Sequence, residues 1–249
     1  MALTDNLLSF YECEEASGNL VDVHAANDWT DNATVGTAAG KLGNARDFES
    51  LNSEYFSSSS NDFEFAGNFG IMCWLKVESF DSLQAIVSRG YDGSVTPWMF
   101  AFRNSGATIE LRRYDGASDA GAIWTISGVD FTDGFHHVAA TRSGTTWTIW
   151  VDGTQRDSQT ASLTTESGTV ESTIGAQNVN GTVGRFFDGI IDELGFWSRA
   201  IVQDDVDDHY NGGAGVAYSS FGGAATRGIP FGTRSTAFNG GRTFAGVIR

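Results

Sequence analysis

The run 69–77, FGIMCWLKV, constrains this chain more than any other stretch, because it carries large residues on both faces of a two-residue period. Ile71, Cys73, Leu75 and Val77 fall on one side, and Met72, Trp74 and Lys76 on the other. Successive side chains of a strand point to opposite faces. A strand with bulk on both faces is one packed between layers rather than one that is half solvated. The run 147–151 repeats the pattern, with Trp147, Ile149 and Val151 alternating with Thr148 and Trp150. Further strand candidates lie at 7–13, 84–89, 98–103, 107–114, 136–142, 146–153 and 186–197, separated by Gly, Asp, Asn and Ser. Long helical patterns are absent. The 31 glycines and two prolines suit the turns of an antiparallel β-sandwich.

One short helix is expected after Ala200. Ile201, Val202, Val206 and Tyr210 share a face at helical spacing, and Asn211-Gly212-Gly213 supplies a common helix ending. Cys13 and Cys73 sit inside apolar strand-like runs and read as two buried thiols, not a disulfide framework. His136 and His137 alternate faces of their strand and read as packed, hydrogen-bonded side chains. At 249 residues the chain suffices for one large β domain.

Charge is unevenly spread. All 31 acidic residues and 11 of the 15 basic ones precede residue 212; four arginines and no acid follow it. The acidic body should repel nucleic acid and anionic surfaces. The start, MALTDNLLSFYE, offers no basic region followed by an apolar one, and no stretch is long enough for a membrane span. The expectation is a protein of a virion or another extracellular assembly reached without a signal peptide, or alternatively a cytoplasmic one. Residues 212–249 hold ten glycines and a loose Arg/Phe recurrence: Arg227 and Phe231, Arg234 and Phe238, Arg242 and Phe244. Composition suggests a Gly/Arg-rich arm, and those six residues are the candidates for docking onto other protein subunits.

Six stretches, in order, resemble one known family. They are 7-LLSFYECEEASGN-19, 22-DVHAANDWT-30, 40-GKLGNARDFES-50, 69-FGIMCWLKV-77, 134-GFHHVAATRSGTTWTIWVDGT-154 and 189-GIIDELGFWSRAI-201. Together they are similar to the laminin G-like, concanavalin A-like lectin/glucanase jelly rolls. Phe135, Ala25 and Ala26 depart from the family pattern, and the C-terminal arm lies outside it. The resemblance implies an all-β antiparallel sandwich over residues 1–211, followed by the arm at 212–249.

Glucanases of that fold carry an E-x-D-x-x-E strand whose two glutamates act as nucleophile and acid/base. The pattern is missing here. The only adjacent acids in the matching strand, Asp192 and Glu193, are consecutive in sequence, so strand alternation sends them to opposite faces. No G-x-S-x-G, H-E-x-x-H, P-loop or G-x-G-x-x-G occurs either, so a catalytic role is not expected. The family resemblance implies a structural calcium linking the early loop to the last long strand, at Asp22, Asn27, Asp28 and Asp192. Oxygen donors of this kind suit that ion; without it, Asp192 would accept backbone N–H bonds from the same loop. Glu193 is expected to pair with an arginine.

Sugar recognition needs aromatic platforms beside polar groups. Tyr91, Trp98, Arg103, Arg112, Tyr114 and Trp124 fall in the central strands and loops and form the candidate ligand site. The expected function is a non-catalytic structural or adhesion module displayed on a larger assembly, such as a virion decoration or fibre-type protein, with glycan or surface binding. The alternatives are a stand-alone carbohydrate-binding lectin domain and, behind it, a glycan-active enzyme. Nucleic acid and membrane insertion are not expected.

Overall fold

A computed structural model describes residues 2–161 and 170–222. Seventeen strands follow in chain order: β1 Leu7–Tyr11, β2 Thr30–Asn32, β3 Gly36–Ala39, β4 Asn44–Phe48, β5 Tyr55–Ser58, β6 Phe69–Val77, β7 Leu83–Arg89, β8 Thr96–Arg103, β9 Thr108–Tyr114, β10 Asp119–Thr125, β11 His136–Ser143, β12 Thr146–Val151, β13 Thr154–Thr160, β14 Ser172–Ile174, β15 Gln177–Val179, β16 Thr182–Gly184 and β17 Gly189–Trp197. One α-helix, α1, spans Gln203–Tyr210.

The strands form two antiparallel sheets. Sheet one runs β13-β12-β11-β6-β17-β4-β3, with β1 also paired to β17. Sheet two runs β10-β9-β8-β7-β14-β5-β2, and β15-β16 is a separate hairpin. This is the expected sandwich. The double-faced runs at 69–77 and 146–151 are β6 and β12, neighbours of β11 at the middle of sheet one. Between the sheets lies one large core that includes Tyr11, Trp29, Phe63, Ile71, Cys73, Leu75, Trp98, Phe100, Trp147, Ile149 and Phe196. Cys13 and Cys73 are free and buried.

The second face of β6 and β12 is explained by a cover. Met72, Ala139, Trp150 and Trp197 join Leu3, Leu7, Phe10, Ile201, Val206 and Phe221 in a second buried cluster on the outer face of sheet one. The helix α1 lies here. It begins two residues later than the apolar pattern suggested, and Val202 is exposed, because Asp205 closes its first turn: the carboxylate accepts the Val202 N–H at 2.9 Å and both Nη groups of Arg199 at 2.7 and 2.9 Å. Packing also continues past residue 211. Phe221 meets Phe10 edge-on at 4.7 Å between ring centroids, and Tyr218 stacks on Phe10 at 5.5 Å. The arm residues Arg227, Phe231, Arg234, Phe238, Arg242 and Phe244 lie outside the described residues.

The pair Asp192 and Glu193 departs from the simple alternation. The β17–β6 register shifts between Asp192 and Gly195, and Glu193 takes a left-handed φ of 50°. Both side chains are buried, at 0% and 2% exposure. Asp192 does not reach the 22–28 loop. Its carboxylate instead accepts the Leu42 N–H at 3.0 Å and the Glu193 N–H at 2.9 Å, tying β17 to the turn between β3 and β4. Among the described residues Glu193 pairs with no arginine, and its Oε2 has no hydrogen-bond partner. Burial first, and the Asp192, Glu12 and Glu14 charges after it, push its pKa up to about 9. Burial likewise raises Asp192 to about 7. Glu193 is therefore a neutral acid at pH 7.

Candidate functional site

Among the described residues, the outer face of sheet two has no comparable cover. Alternation along β8 puts Trp98, Phe100 and Phe102 in the core and turns Met99, Ala101 and Arg103 outward. Along β9, Ile109, Leu111 and the buried Arg113 go inward, while Glu110, Arg112 and Tyr114 go outward. Register then aligns them across the sheet: Met99 opposite Arg112, Ala101 opposite Glu110, and Thr96 opposite Tyr114, which in turn faces Asp119 of β10. The β15-β16 hairpin forms a wall. It is held by the Tyr91 N–H donating to Asn178 O at 2.8 Å and the Asn180 N–H donating to Tyr91 O at 2.6 Å. The result is an open cleft of about 250 Å3, lined by Tyr91, Thr96, Met99, Arg103, Arg112, Tyr114, Asp119, Gln177, Val179 and Arg185.

Two turns of the same construction set the tyrosines. Tyr91-Asp92-Gly93 and Tyr114-Asp115-Gly116 share a Tyr-Asp-Gly sequence. Each Asp carboxylate accepts two backbone N–H groups, from Ser94 and Val95 in the first turn and from Ala117 and Ser118 in the second. Each glycine sits at a left-handed φ, 97° and 91°, where a side chain would be strained. Each tyrosine hydroxyl donates to its own glycine carbonyl, at 2.7 and 2.8 Å. The two rings therefore stand side by side, 6.2 Å apart and inclined by 50°. Both are partly exposed, which leaves ring surface for a ligand.

Charge is organised around them. Glu110 is buried, and its Oε1 receives Arg103 Nε at 3.2 Å and Arg112 Nη1 at 3.4 Å. Arg112 also pairs with the exposed Asp119. Burial raises the Glu110 pKa, against the pull of Arg112 and Arg103. Arg185 donates to Gln177 Oε1 and has no carboxylate partner among the described residues.

Four of the six expected ligand residues, Tyr91, Arg103, Arg112 and Tyr114, thus come together. The other two do not. Trp98 lies in the core, 1% exposed, with its indole N–H donating to Phe63 O at 2.8 Å. Trp124 points to the inner side of β10 and packs against the core edge, with the Arg156 guanidinium 4.9 Å over its ring. Thr96, Met99, Asp119, Gln177, Val179 and Arg185 complete the cleft and were not singled out in the sequence. The repeated Tyr-Asp-Gly was the available signal for the twin turns; nothing local marks Arg185.

The four calcium candidates do not assemble. Asp22, Asn27 and Asp28 form one self-contained loop. Asp22 accepts the N–H groups of Phe10, His24, Ala25 and Asn27, and Asp28 accepts that of Asp22 at 2.8 Å. With Asp192 committed to the 41–42 backbone, these residues do not fit a single ion linking loop and strand. Among the described residues, the carboxylates grouped within 4.8 Å of one another are those of Asp47, Glu49 and Glu78.

The architecture and the cleft of the described residues define a lectin-type jelly roll with one outer face covered and a cleft on the other. The family model for the concanavalin A-like lectin/glucanases superfamily matches residues 50–207, and the chain belongs to that superfamily. No curated protein sequence matches it. Among solved structures it is similar to domain 4 of AbnA, an extracellular arabinanase of Geobacillus stearothermophilus, in complex with arabinotriose, with TM-score 0.64 and 16% identity over 82% of this chain and 97% of that one. It is similar to the receptor-binding domain of botulinum neurotoxin type G, with TM-score 0.62 and 14% identity over 83% of this chain, and spans 51% of that domain's chain. It is also similar to the carbohydrate-binding module of the Ruminococcus gnavus IT-sialidase bound to α2,3-sialyllactose, with TM-score 0.54 and 14% identity over 61% of this chain and 90% of that one. At these identities the likeness is one of fold.

Proposed function

We propose that the protein is a non-catalytic glycan-binding module and that the cleft over β8, β9 and β10 is its binding face. The observation that carries this reading is the Tyr91–Tyr114 pair, held by twin turns beside arginine, Gln177 and Asp119 donors and acceptors. Flat apolar ring faces flanked by fixed polar groups suit a sugar, which offers C–H faces and hydroxyl edges. The similar folds bound to arabinotriose and to α2,3-sialyllactose make a glycan a reasonable ligand class. A non-catalytic role is supported by the carboxylates of the cleft: Glu110 is held by two arginines and Asp119 by one.

Display on a larger assembly is part of the same reading. Phe221, next to the last described residue, packs on the outer face of sheet one, opposite the cleft. A subunit docked against that face would leave the cleft facing outward. Among the described residues no helix is long and apolar enough to cross a membrane.

The test is binding of arabinotriose, lactose, α2,3-sialyllactose and trigalacturonate by calorimetry, with wild type and with Tyr91→Ala and Tyr114→Ala. The expected result is binding by at least one sugar, weakened at least tenfold by either substitution with no change of fold. Binding that both substitutions leave intact contradicts the site. Deleting 223–249 should abolish association with other subunits and leave sugar binding unchanged.

A further inference from the structure

The arginines of the cleft are out of keeping with the rest of the chain. The protein carries 31 acidic and 15 basic residues, a net charge of −16. Yet three of those 15, Arg103, Arg112 and Arg185, converge on one cleft, and among the described residues the carboxylates paired with them are Glu110 and Asp119. Glu110 is shared by Arg103 and Arg112, and Asp119 is taken by Arg112. That leaves Arg185 with a neutral partner, Gln177.

Arg185 is also held in an uncommon place. Its backbone has a left-handed φ of 58°, and its carbonyl accepts the Ala85 N–H at 2.9 Å, which fixes it beside β7. A non-glycine residue in that region is strained and persists where the surroundings impose it. Partial burial, then the charges of Arg103 and Arg112, lower its pKa. Like charges are thus held together on a protein with a net charge of −16. An arginine crowded by two others is stabilised by an anion, and a guanidinium fork matches the two oxygens of a carboxylate.

Resting on the glycan-binding reading above, we infer that the cleft takes a carboxylate-bearing sugar, with the acid group on Arg185 and the ring against Tyr91 and Tyr114. The cleft is small beside typical ligand pockets of ~300–1,000 Å3. It therefore holds a terminal acidic residue rather than a long chain. Arg103 and Arg112, already tied to Glu110, keep the field positive and leave the direct contact to Arg185. Gln177 orients the guanidinium from the hairpin wall.

The experiment compares charged sugars with their neutral counterparts by calorimetry and by chemical-shift mapping on the full chain. One pair is α2,3-sialyllactose against lactose; the other is trigalacturonate against its methyl ester; a sulfated lactose is the fifth arm. Expected is at least tenfold tighter binding of one carboxylate sugar than of its neutral counterpart, weakening as salt rises. Arg185→Gln should remove that difference, weakening the carboxylate sugar at least tenfold more than its neutral counterpart. Arg185→Lys, which keeps the charge and loses the fork, should recover only part of it, and serves if the Gln variant folds poorly. Equal binding of charged and neutral sugars in the cleft overturns the carboxylate inference and leaves the glycan site standing. Binding of the sulfated sugar alone also overturns it. No binding by any arm at millimolar concentration counts against both.

Discussion

The two outer faces of the sandwich are built from the same alternating strands and end differently. On sheet one, the outward residues are Met72, Trp150 and Trp197, and α1 with the 214–221 segment closes over them. On sheet two, the outward apolar cluster is a narrow strip: Ala85, Met99 and Ala101, with Leu83 beside them. That strip gives a floor too narrow to hold a covering helix, and polar groups flank it. The comparison teaches that the second face of a strand decides where a sandwich can bind. A broad cluster with two indole rings calls for a lid; a narrow apolar strip flanked by Tyr and Arg leaves a cleft.

The covered face contains a buried histidine pair. His137 Nε2 lies 2.9 Å from His209 Nδ1, both rings are fully buried, and the outer ring nitrogens have no hydrogen-bond partner among the described residues. Burial lowers both pKa values, that of His209 to about 3, so the rings are neutral in the folded protein. The cleft has no such dependence on histidine.

The largest effect that separates the faces is expected at Trp197. Its ring is buried and its Nε1–H donates to Leu3 O at 2.7 Å. Trp197→Ala should cost about 3–5 kcal/mol in chemical denaturation, and the folded fraction should bind sugar as the wild type does. Loss of binding with stability retained would break the separation.

A smaller effect follows from Glu193. Its folded pKa of about 9 exceeds the ordinary 4.5, so the folded state binds the extra proton between those values. That stabilisation is complete at low pH and is lost as pH rises toward 9. The histidine pair acts oppositely and only at lower pH: the unfolded chain takes up protons below about 6.5, so its contribution falls as pH drops. Between pH 7 and 9 Glu193 shares the decline with His136, whose pKa the hydrogen bond to Asp152 raises to about 9. The melting temperature should decline over that range in wild type and stay flatter in Glu193→Gln; an identical decline in both would refute the assignment.

The smallest stability effect belongs to the open face. Tyr114 is only partly buried, and Tyr114→Ala should change stability by no more than about 0.5–1 kcal/mol. Its effect on sugar binding should be far larger. A strong loss of stability there would mean that the tyrosine pair is packing rather than a platform.

Much of this was legible in the sequence because β6, β12 and β17 carry periodic bulk, and because motif order follows the family. Strands β2, β10, β13 and β16 were not, since TDN, DAGAIWT, TQRDSQT and TVG show little apolar alternation. They are edge or hairpin strands defined by their partners. The cleft was legible in part. Tyr91, Arg103, Arg112 and Tyr114 stood out by type, but Trp98 has the same residue class as a binding platform and differs only in facing inward. The inward turn follows from the alternation that Trp98 shares with Phe100 and Phe102. Asp192 misled for the opposite reason: a shift in β17 between 192 and 195 breaks the alternation that sequence reasoning assumes. Arg185 and Gln177 arrive from the β15-β16 region, which no periodic pattern marks.

The most direct test of the account is hydrogen–deuterium exchange of the full chain with and without saturating α2,3-sialyllactose, repeated with trigalacturonate. Protection confined to residues 91–95, 110–119 and 177–185, with 203–221 unchanged, is the predicted result. Protection of 203–221 or of the 22–28 loop, with the cleft segments unchanged, would contradict it.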